Sequence, residues 1–148
     1  MKQNTIKGFD EKQIFLLYDY LVAYEESGIE QYESTRSLLK EHPELSDLEQ
    51  AFKTIKSHES NTQEMCTIDR ESLTNEIYFT INKGNHLLSF LAHLRNSIAH
   101  GRVTECKGCV LVADFANPKY NPVDFTARGC VDFEIIIKMT EILKKIEL

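Results

Sequence analysis

One short stretch of the sequence combines a permanent cation, an amide and an imidazole at helical spacing. It reads Arg95-Asn96-Ser97-Ile98-Ala99-His100, and an apolar run precedes it from position 87. A guanidinium keeps its proton in proteins, so it needs an acid, a phosphate or water as its partner. Gly101 is typical of the residue that ends a helix, which puts His100 in the last turn, where the helix dipole favours imidazolium. The stretch therefore contains a candidate proton-transfer group five residues after an arginine.

The residues around this stretch divide into two faces when they are wound as a helix. At about 100° per residue, a polar set falls within one arc of roughly 120°. Its members are His86, Ser89, Phe90, His93, Asn96, Ser97 and His100. The opposite arc is apolar and should face the core; it consists of Leu87, Leu88, Leu91, Leu94 and Ile98. We interpret the polar stripe as part of a helix or subunit interface, because Phe90 stands in the middle of it.

Helical periodicity extends over most of the remaining chain. The predicted helices span residues 9–27, 29–41, 46–57 and 70–83, with a last helix after Asp132. The first is capped by Asp10 with Gln13, and it buries Ile14, Leu17, Tyr18, Leu21 and Val22. A capping box from Ser46 to Glu49 opens the third, and Asp69 caps the fourth. Residues 58–67 are polar and aperiodic, which predicts a surface loop.

Extended structure is predicted late in the chain. Residues 102–106 and 109–115 fit a hairpin with its tight turn at Lys107-Gly108, and residues 123–131 can add an extended segment. The fold class that follows is mainly α, an up-and-down helical bundle of about five to six helices with a small β-hairpin insertion before the C-terminal helix. Residues 1–148 are expected to form a single helical domain.

The four cysteines raise the question of a metal. Cys106 and Cys109 form a CxxC, but structural zinc needs four ligands and no second paired motif is present. Cys66, Cys130 or a histidine would have to complete the site from a distance. We favour the hairpin, in which Cys106 and Cys109 lie opposite each other. The three histidines of the polar stripe stand about 10 Å apart and cannot share one ion. We expect no metal and no cofactor.

The composition of the chain limits the kinds of partner and the cellular location that we expect. The net charge of −6 argues against broad, salt-sensitive binding to nucleic acid, so any such binding must occur at a confined site. No apolar run approaches the ~20 residues that span a bilayer. The N-terminus lacks the apolar core of a signal peptide. We expect a cytoplasmic protein without a membrane partner.

The stretch from Leu94 to Gly101 resembles the motif of the HEPN superfamily, helical-bundle proteins marked by an arginine, a polar residue and a histidine. Here the spacing is Arg-x4-His, with Asn96 as the polar residue. The apolar helix before the motif, the glycine after it and its late position in a small helical chain also match. The resemblance is carried by residues 70–103 and elsewhere depends on the order of helices.

The resemblance implies a metal-independent endoribonuclease that acts as a homodimer, with the motif at the interface. By this resemblance Arg95 binds and stabilises the phosphate, Asn96 positions substrate or histidine, and His100 moves protons. The neighbouring side chains of Arg102, His93 and Ser97 are expected to contact the RNA. Toxins of one branch carry a tyrosine where this chain has Arg102, so regulation through that tyrosine cannot be transferred.

The resemblance also leaves the physiological role open. A toxin or a phage-defence effector would need an antitoxin or another regulatory protein as its partner. A non-catalytic binding or dimerisation module of the same fold is the main alternative; in it Arg95 would pair with an acid such as Glu105 or Asp114. A helical protein of another family, with zinc at Cys106 and Cys109, is the third interpretation.

Overall fold

The computed structural model describes residues 7–81, 85–115 and 125–146. Its α-helices are α1 (Glu11–Ser27), α2 (Thr35–Glu41), α3 (Ser46–Lys53), α4 (Thr62–Cys66), α5 (His86–Ala99) and α6 (Phe133–Leu143). Its strands are β1 (Lys56–Glu59), β2 (Glu76–Phe79), β3 (Val103–Cys106), β4 (Cys109–Phe115) and β5 (Phe125–Asp132). Over these ranges, every helix is too short or too polar to cross a bilayer.

The five strands form one mixed sheet in the order β1-β2-β5-β4-β3. Strands β1 and β2 pair in parallel, and the other neighbours are antiparallel. The helical majority agrees with the predicted fold class. The prediction of a bundle with one small hairpin was wrong, because the hairpin of β3 and β4 is one side of a larger sheet.

The end of the first helix and the hairpin turn follow the predictions made from sequence. Asp10 and Gln13 form the capping box of α1, and Gly28 ends it in the left-handed region at φ 68°. In the hairpin, Lys107 and Gly108 both have positive φ, at 54° and 81°. Two such residues in succession make the tight turn that suits the twist of a hairpin. As predicted, Cys106 and Cys109 lie directly opposite each other.

The predicted helix over residues 70–83 was wrong where the structure describes it. Asp69 precedes a single 3₁₀ turn at Arg70–Ser72, and strand β2 follows. Its burial alternates, with Ile77 and Phe79 buried and the residues before each of them half-buried. Spacing alone could not decide between the two periods, since Ile77 fits a helical stripe as well as a strand. Residues 82–84 lie outside the described residues.

Local structure around β1 also differs from the prediction. Helix α3 ends at Lys53 rather than near position 57, and β1 then joins the edge of the sheet. The predicted capping box at Ser46 is absent, since Leu45 is the cap residue and makes no side-chain hydrogen bond. The predicted loop over 58–67 contains the short helix α4, which Asn61 and Glu64 open with a capping box.

The main core lies between one face of the sheet and the helices α1, α5 and α6. Phe90 is fully buried in it and contacts the rings of Phe52 and Phe79. Of the two kinds of interface predicted for the polar stripe, Phe90 therefore lies in the one within the chain, against α3 and β2, and not in one between subunits. Tyr18 and Val22, predicted to be buried, are 43% and 50% exposed. Helix α1 turns these two side chains to solvent because it buries a different arc, which contains Leu17 and Tyr20.

Candidate active site

The Arg-Asn-x3-His stretch occupies the C-terminal end of α5, as the sequence predicted. The helix ends at Ala99, His100 is its cap residue, and Gly101 follows with φ 69°. This positive φ is a conformation that glycine adopts at no steric cost. The chain can therefore turn immediately after His100 and enter the hairpin.

Arg95 reaches away from the hairpin and over α1. Its Nε donates to Glu25 Oε2 at 2.9 Å, and its Nη1 donates to Asn96 Oδ1 at 3.0 Å. The side chains of Arg95 and Glu25 are 35% and 48% exposed, so this is a solvated ion pair. Exposed pairs contribute at most about 1 kcal/mol to stability, and an incoming anion can replace the carboxylate. The acid that pairs with Arg95 is thus in α1, and neither Glu105 nor Asp114 takes that role.

Two tyrosines of α1 complete the surroundings of Arg95. Tyr20 is fully buried and donates to the carbonyl oxygen of Leu91 at 2.8 Å. Burial raises the pKa of Tyr24 to about 12, and the nearby acids add to this rise while Arg95 opposes it. Both phenols are therefore neutral near pH 7, and they are unsuited to serve as bases.

Asn96 is held by Asp114 of β4. Its Nδ2 donates to Asp114 Oδ2 at 3.2 Å, while its Oδ1 accepts from Arg95. The carboxylate of Asp114 is only 6% exposed, and its Oδ1 also accepts from the backbone N–H of Phe115 at 3.0 Å. The side-chain amide of Asn96 thus links the guanidinium to a buried carboxylate and fixes the orientation of both.

His93 is the second donor to Asp114. Its Nδ1 lies 3.0 Å from Asp114 Oδ2, and its Nε2 lies 2.8 Å from the carbonyl oxygen of Thr80. The carbonyl oxygen and the carboxylate both accept hydrogen bonds, so each lies where a ring nitrogen of His93 can donate to it. His93 is 1% exposed. Its contact with Asp114 is a buried hydrogen bond that joins α5 to the sheet.

Ser97 is buried beside His93 and donates from its Oγ to the carbonyl oxygen of His93 at 2.9 Å. The sequence predicts that His93 and Ser97 contact RNA. In this chain both side chains are buried and hydrogen-bonded to other protein groups. They therefore stabilise the helix that carries the motif and do not offer a surface to a ligand.

His100 differs from His93 in the exposure and in the hydrogen bonding of its side chain. Its side chain is exposed, and it has no hydrogen-bond partner among the residues that the structure describes. No hydrogen bond or ion pair between described residues joins it to Arg95, which extends over α1. An exposed, unpaired imidazole can accept a proton and return it without breaking any internal contact.

Arg102 lies two residues beyond His100 and is half-buried at the edge of the sheet. Its guanidinium stands 4.6 Å from the ring centre of Phe115, and its Nη1 is 3.9 Å from Asp114 Oδ1. One carboxylate therefore lies close to Asn96, His93 and Arg102. Sequence reasoning did not identify this role of Asp114, although one signal was present. In β4 the alternation that buries Val110 and Val112 also turns Asp114 inward, and an inward carboxylate requires partners.

In the cysteine pair of the hairpin, Cys109 is bonded to the protein rather than placed to bind a metal. Cys109 Sγ donates to Asp132 Oδ1 at 3.1 Å. Burial, followed by this hydrogen bond, raises the pKa of the Cys109 thiol to about 12. Within the described ranges, no group of three or more His, Cys, Asp or Glu side chains is arranged to hold a metal ion. The zinc interpretation thus has no ligand set in this part of the chain.

Comparison with known proteins agrees with the class that the motif indicates, that of HEPN proteins. The sequence model of the HEPN pEK499 p136 family matches residues 9–145, and the chain therefore belongs to that family. The match covers the helices, the sheet and the motif. No curated protein and no solved structure is significantly similar to the chain.

Proposed function

We propose that this protein is a metal-independent endoribonuclease of the HEPN type, with Arg95, Asn96 and His100 as its catalytic residues. The observation that carries the proposal is the contrast in exposure along α5. His93 and Ser97 are buried and bonded, whereas Arg95 is 35% exposed and His100 is exposed and unpaired among the described residues. The two groups that the chemistry needs are the two that a ligand can reach.

RNA carries its own nucleophile, so the reaction needs no metal. The 2′ oxygen attacks the adjacent phosphorus, the new P–O2′ bond forms as the P–O5′ bond breaks, and the products are a cyclic phosphate and a 5′ hydroxyl. One proton leaves O2′ and one proton reaches O5′. His100 transfers these protons, because its imidazole is exposed and has one nitrogen that can accept a proton and one that can donate.

Arg95 binds the phosphate and stabilises the charge that develops on it. Its planar guanidinium matches the phosphate oxygens in geometry. Its Nε becomes available for the phosphate when the substrate replaces the exposed carboxylate of Glu25 as the hydrogen-bond acceptor. Asn96, anchored by Asp114, keeps the Nη1 edge in a fixed direction. Such fixed donors are effective because they do not need to reorganise during the reaction.

A homodimer brings the separated groups together in this proposal. Arg95 and His100 are about 140° apart on an ideal helix, so one subunit does not aim them at the same point. Two copies related by a two-fold axis supply two arginines and two histidines to one cleft, and the two histidines divide the roles of base and acid. A toxin or phage-defence role, with an antitoxin or regulatory protein as a further partner, is the physiological setting that we propose for this activity.

The ion pair between Arg95 and Glu25 favours a second candidate, a non-catalytic binding module. An arginine that is bonded to its own chain at 2.9 Å can be a structural residue that joins α5 to α1. In that case RNA or another partner is bound without being cut.

RNA cleavage in excess EDTA separates the two candidates. Wild type, Arg95→Ala and His100→Ala are incubated with a mixture of structured and unstructured RNAs, and the cut ends are analysed for cyclic phosphate. We expect activity in wild type and a loss of at least about 100-fold in each variant, since general acid–base catalysis alone contributes that much.

Matched controls exist on the same chain. Arg36→Ala removes an exposed arginine of α2, and His86→Ala removes an exposed histidine at the other end of α5; both should cut like wild type. Equal cleavage by all four variants would reject the proposed residues. Binding of RNA without cleavage by wild type would favour the module.

A further inference from the structure

A second concentration of positive charge lies on the sheet face that points away from α5. Residues alternate in the strands, and Val112 of β4 and Ala127 of β5 face the helical core. Their neighbours Ala113 and Arg128, which pair across the two strands, therefore face the other side. A cavity of about 450 Å³ opens on that side, and we call it the basic pocket. The residues that define it are Lys7, Arg70, Arg102, Arg128, Phe115 and Phe125.

The charge of the basic pocket is not balanced from within. Four of its residues are cations, and its lining contains no acidic residue among those that the structure describes. Of the four, only Arg102 has a carboxylate oxygen within 4 Å in the described ranges, at 3.9 Å in Asp114. This imbalance occurs in a chain with a net charge of −6. Clustered like charges repel one another, so an anion in the pocket would stabilise them.

Arg70 shows this imbalance most directly. Its Nη1 donates to the carbonyl oxygen of Val112 at 3.3 Å, but its buried Nε has no acceptor in the part of the chain that the structure describes. Burial lowers the pKa of Arg70, and the neighbouring guanidinium of Arg128 lowers it further. A buried donor without a partner destabilises this arginine, and Arg70 lines the pocket in which an anion would offset its charge.

Two aromatic rings hold the other arginines in place. The guanidinium of Arg102 stands 4.6 Å from the ring centre of Phe115, and that of Arg128 stands 4.6 Å from the ring centre of Phe125. The two rings stack on each other with centres 4.8 Å apart. An arginine that is held by its flat face keeps the N–H groups at its edge for other partners, and Nη1 of Arg128 already donates to the carbonyl oxygen of Met65 at 3.0 Å. The pocket therefore presents positioned donors rather than loose surface charges.

We propose that the basic pocket binds the phosphate groups of a nucleotide, either within an RNA strand or as a free nucleotide. Guanidinium forks match phosphate oxygens, and the volume of about 450 Å³ is within the range of small-ligand sites and exceeds a single phosphate. Arg102 joins the pocket to the motif, since it follows His100 by two residues. A strand that is cut at His100 can thus continue past Arg102 into the pocket.

In its RNA form this inference rests on the proposed function, and the experiment is designed to test binding apart from cleavage. The probe is a fluorescently labelled 2′-O-methyl RNA 12-mer (roughly the length that OB folds span), which has no 2′ hydroxyl and cannot be cut by internal transfer. Anisotropy gives its Kd for wild type, Arg70→Gln, Arg128→Gln and Lys7→Gln over a series of salt concentrations. ATP and inorganic phosphate are the competitors.

We expect each arginine variant to weaken binding by about tenfold, as for the loss of one charge-assisted hydrogen bond. Lys7 is exposed, and its variant should weaken binding by about threefold without any effect on folding. The slope of log Kd against log salt should fall by about one for each cation removed. The matched control is Arg36→Gln, because Arg36 is an exposed arginine of α2 outside the pocket.

The competitors identify the source of the phosphate. Binding of the 12-mer that weakens in the pocket variants supports an RNA strand as the ligand. Tight binding of ATP with the same pattern of weakening, and no binding of the 12-mer, supports a free nucleotide. If neither probe binds, or if the three variants bind as tightly as wild type, the proposal is overturned.

Failure of this inference and failure of the proposed function give different results. If wild type cuts RNA and the pocket variants bind and cut like wild type, the endoribonuclease stands and the basic pocket has no such role. If wild type binds the 12-mer through the pocket but cuts no RNA, the pocket stands and the catalytic proposal fails.

Discussion

At the scale of single residues, Asp114 has the largest structural role in the site. Its two carboxylate oxygens accept from His93, from Asn96 and from the backbone of Phe115, and Arg102 lies nearby. A buried carboxylate is stable only when such donors surround it. Asp114 thereby fixes the amide that orients Arg95, although it does not face the ligand itself.

Replacement of this carboxylate tests that role. Asp114→Asn removes a buried carboxylate that accepts from His93, Asn96 and the backbone of Phe115, and we expect it to lower the free energy of unfolding by about 3 kcal/mol, as for the loss of one partner in a buried hydrogen-bond network. Urea denaturation measures the change. Asp47→Asn is the control, because the side chain of Asp47 is 59% exposed and its ion-pair partner Lys145 lies 3.9 Å away. This variant should leave the free energy of unfolding unchanged. A stability for Asp114→Asn within 0.5 kcal/mol of wild type, about the scatter of surface substitutions, would contradict the role assigned to Asp114.

The cysteines offer a second test at this scale. Cys109 is buried and its pKa is raised to about 12, whereas Cys66 is exposed. The thiolate is the reactive form, so iodoacetamide at pH 8 should label Cys66 first and leave Cys109 unmodified in the folded protein. Peptide mass spectrometry after a time course measures this. Equal labelling rates at the two positions would contradict this prediction, because they would show that the Cys109 thiol is accessible and ionised in the folded protein.

The same shift has a consequence for stability. Above pH 9, the ordinary pKa of the thiol, the unfolded chain loses the Cys109 proton while the folded chain keeps it. The unfolded state then binds fewer protons, so the free energy of unfolding falls as the pH rises from about 9 towards 12. Below pH 9 this group makes no pH-dependent contribution.

At the scale of secondary-structure elements, the contact between β2 and β5 decides how the sheet is built. Gly129 pairs with Ile77, and a Cβ at Gly129 would lie 2.5 Å from both Ile77 Cα and the carbonyl oxygen of Glu76. Both of these atoms belong to the backbone, so they cannot rotate away. The absence of a side chain at Gly129 therefore permits β2 to approach β5 and to carry β1 on its outer side.

Gly129→Ala should accordingly separate these strands. We expect a loss of about 2–4 kcal/mol in the free energy of unfolding, as for strong overpacking. Gly108→Ala is the matched control, since a Cβ there meets no atom within 4 Å and only the positive φ is strained; it should cost about 1 kcal/mol. Thermal denaturation compares the two. A Gly129→Ala variant no less stable than Gly108→Ala would show that the strands can separate at little cost.

At the scale of the whole molecule, α1 has an exposed apolar stripe that leads to the motif. Phe15, Tyr18 and Val22 are 66%, 43% and 50% exposed, and their spacing places them on the same helical face as Glu25. Glu25 is the residue that binds Arg95. We propose that a second copy of this chain covers the stripe, which places Arg95 at the interface that the proposed endoribonuclease requires.

The dimer can be tested without measuring activity. Phe15→Glu and Val22→Glu should raise the dimer Kd by about 30-fold or more. Each substitution removes an apolar contact from the centre of the interface and introduces a carboxylate that would have to be buried there. Sedimentation velocity over a range of concentrations measures this, and circular dichroism shows whether the fold is kept. Gln50→Glu adds the same charge to an exposed position of α3 and should not change the association. A monomeric wild type, or a dimer that both α1 variants preserve, would reject this interface.

The sequence by itself determined the features that depend on neighbouring residues. The limits of α1, the end of α5 at Gly101, the hairpin turn at Lys107-Gly108 and the Arg-Asn-x3-His spacing are all local, because a cap or a turn is formed within a few residues. Membership of the HEPN family followed from that spacing and from the helical setting around it, and the family match over residues 9–145 confirms it.

Only the tertiary structure decided the features that join distant parts of the chain. Ile77 suits a helix or a strand by its own periodicity, and the space beside Gly129, 52 positions later, makes it part of a strand. In the same way Glu25 comes to Arg95 across 70 positions, Asp114 comes to His93 across 21, and Arg70 comes to Val112 across 42. Burial and pairing between such residues are settled by packing of the whole chain, which outweighs the preferences of each segment.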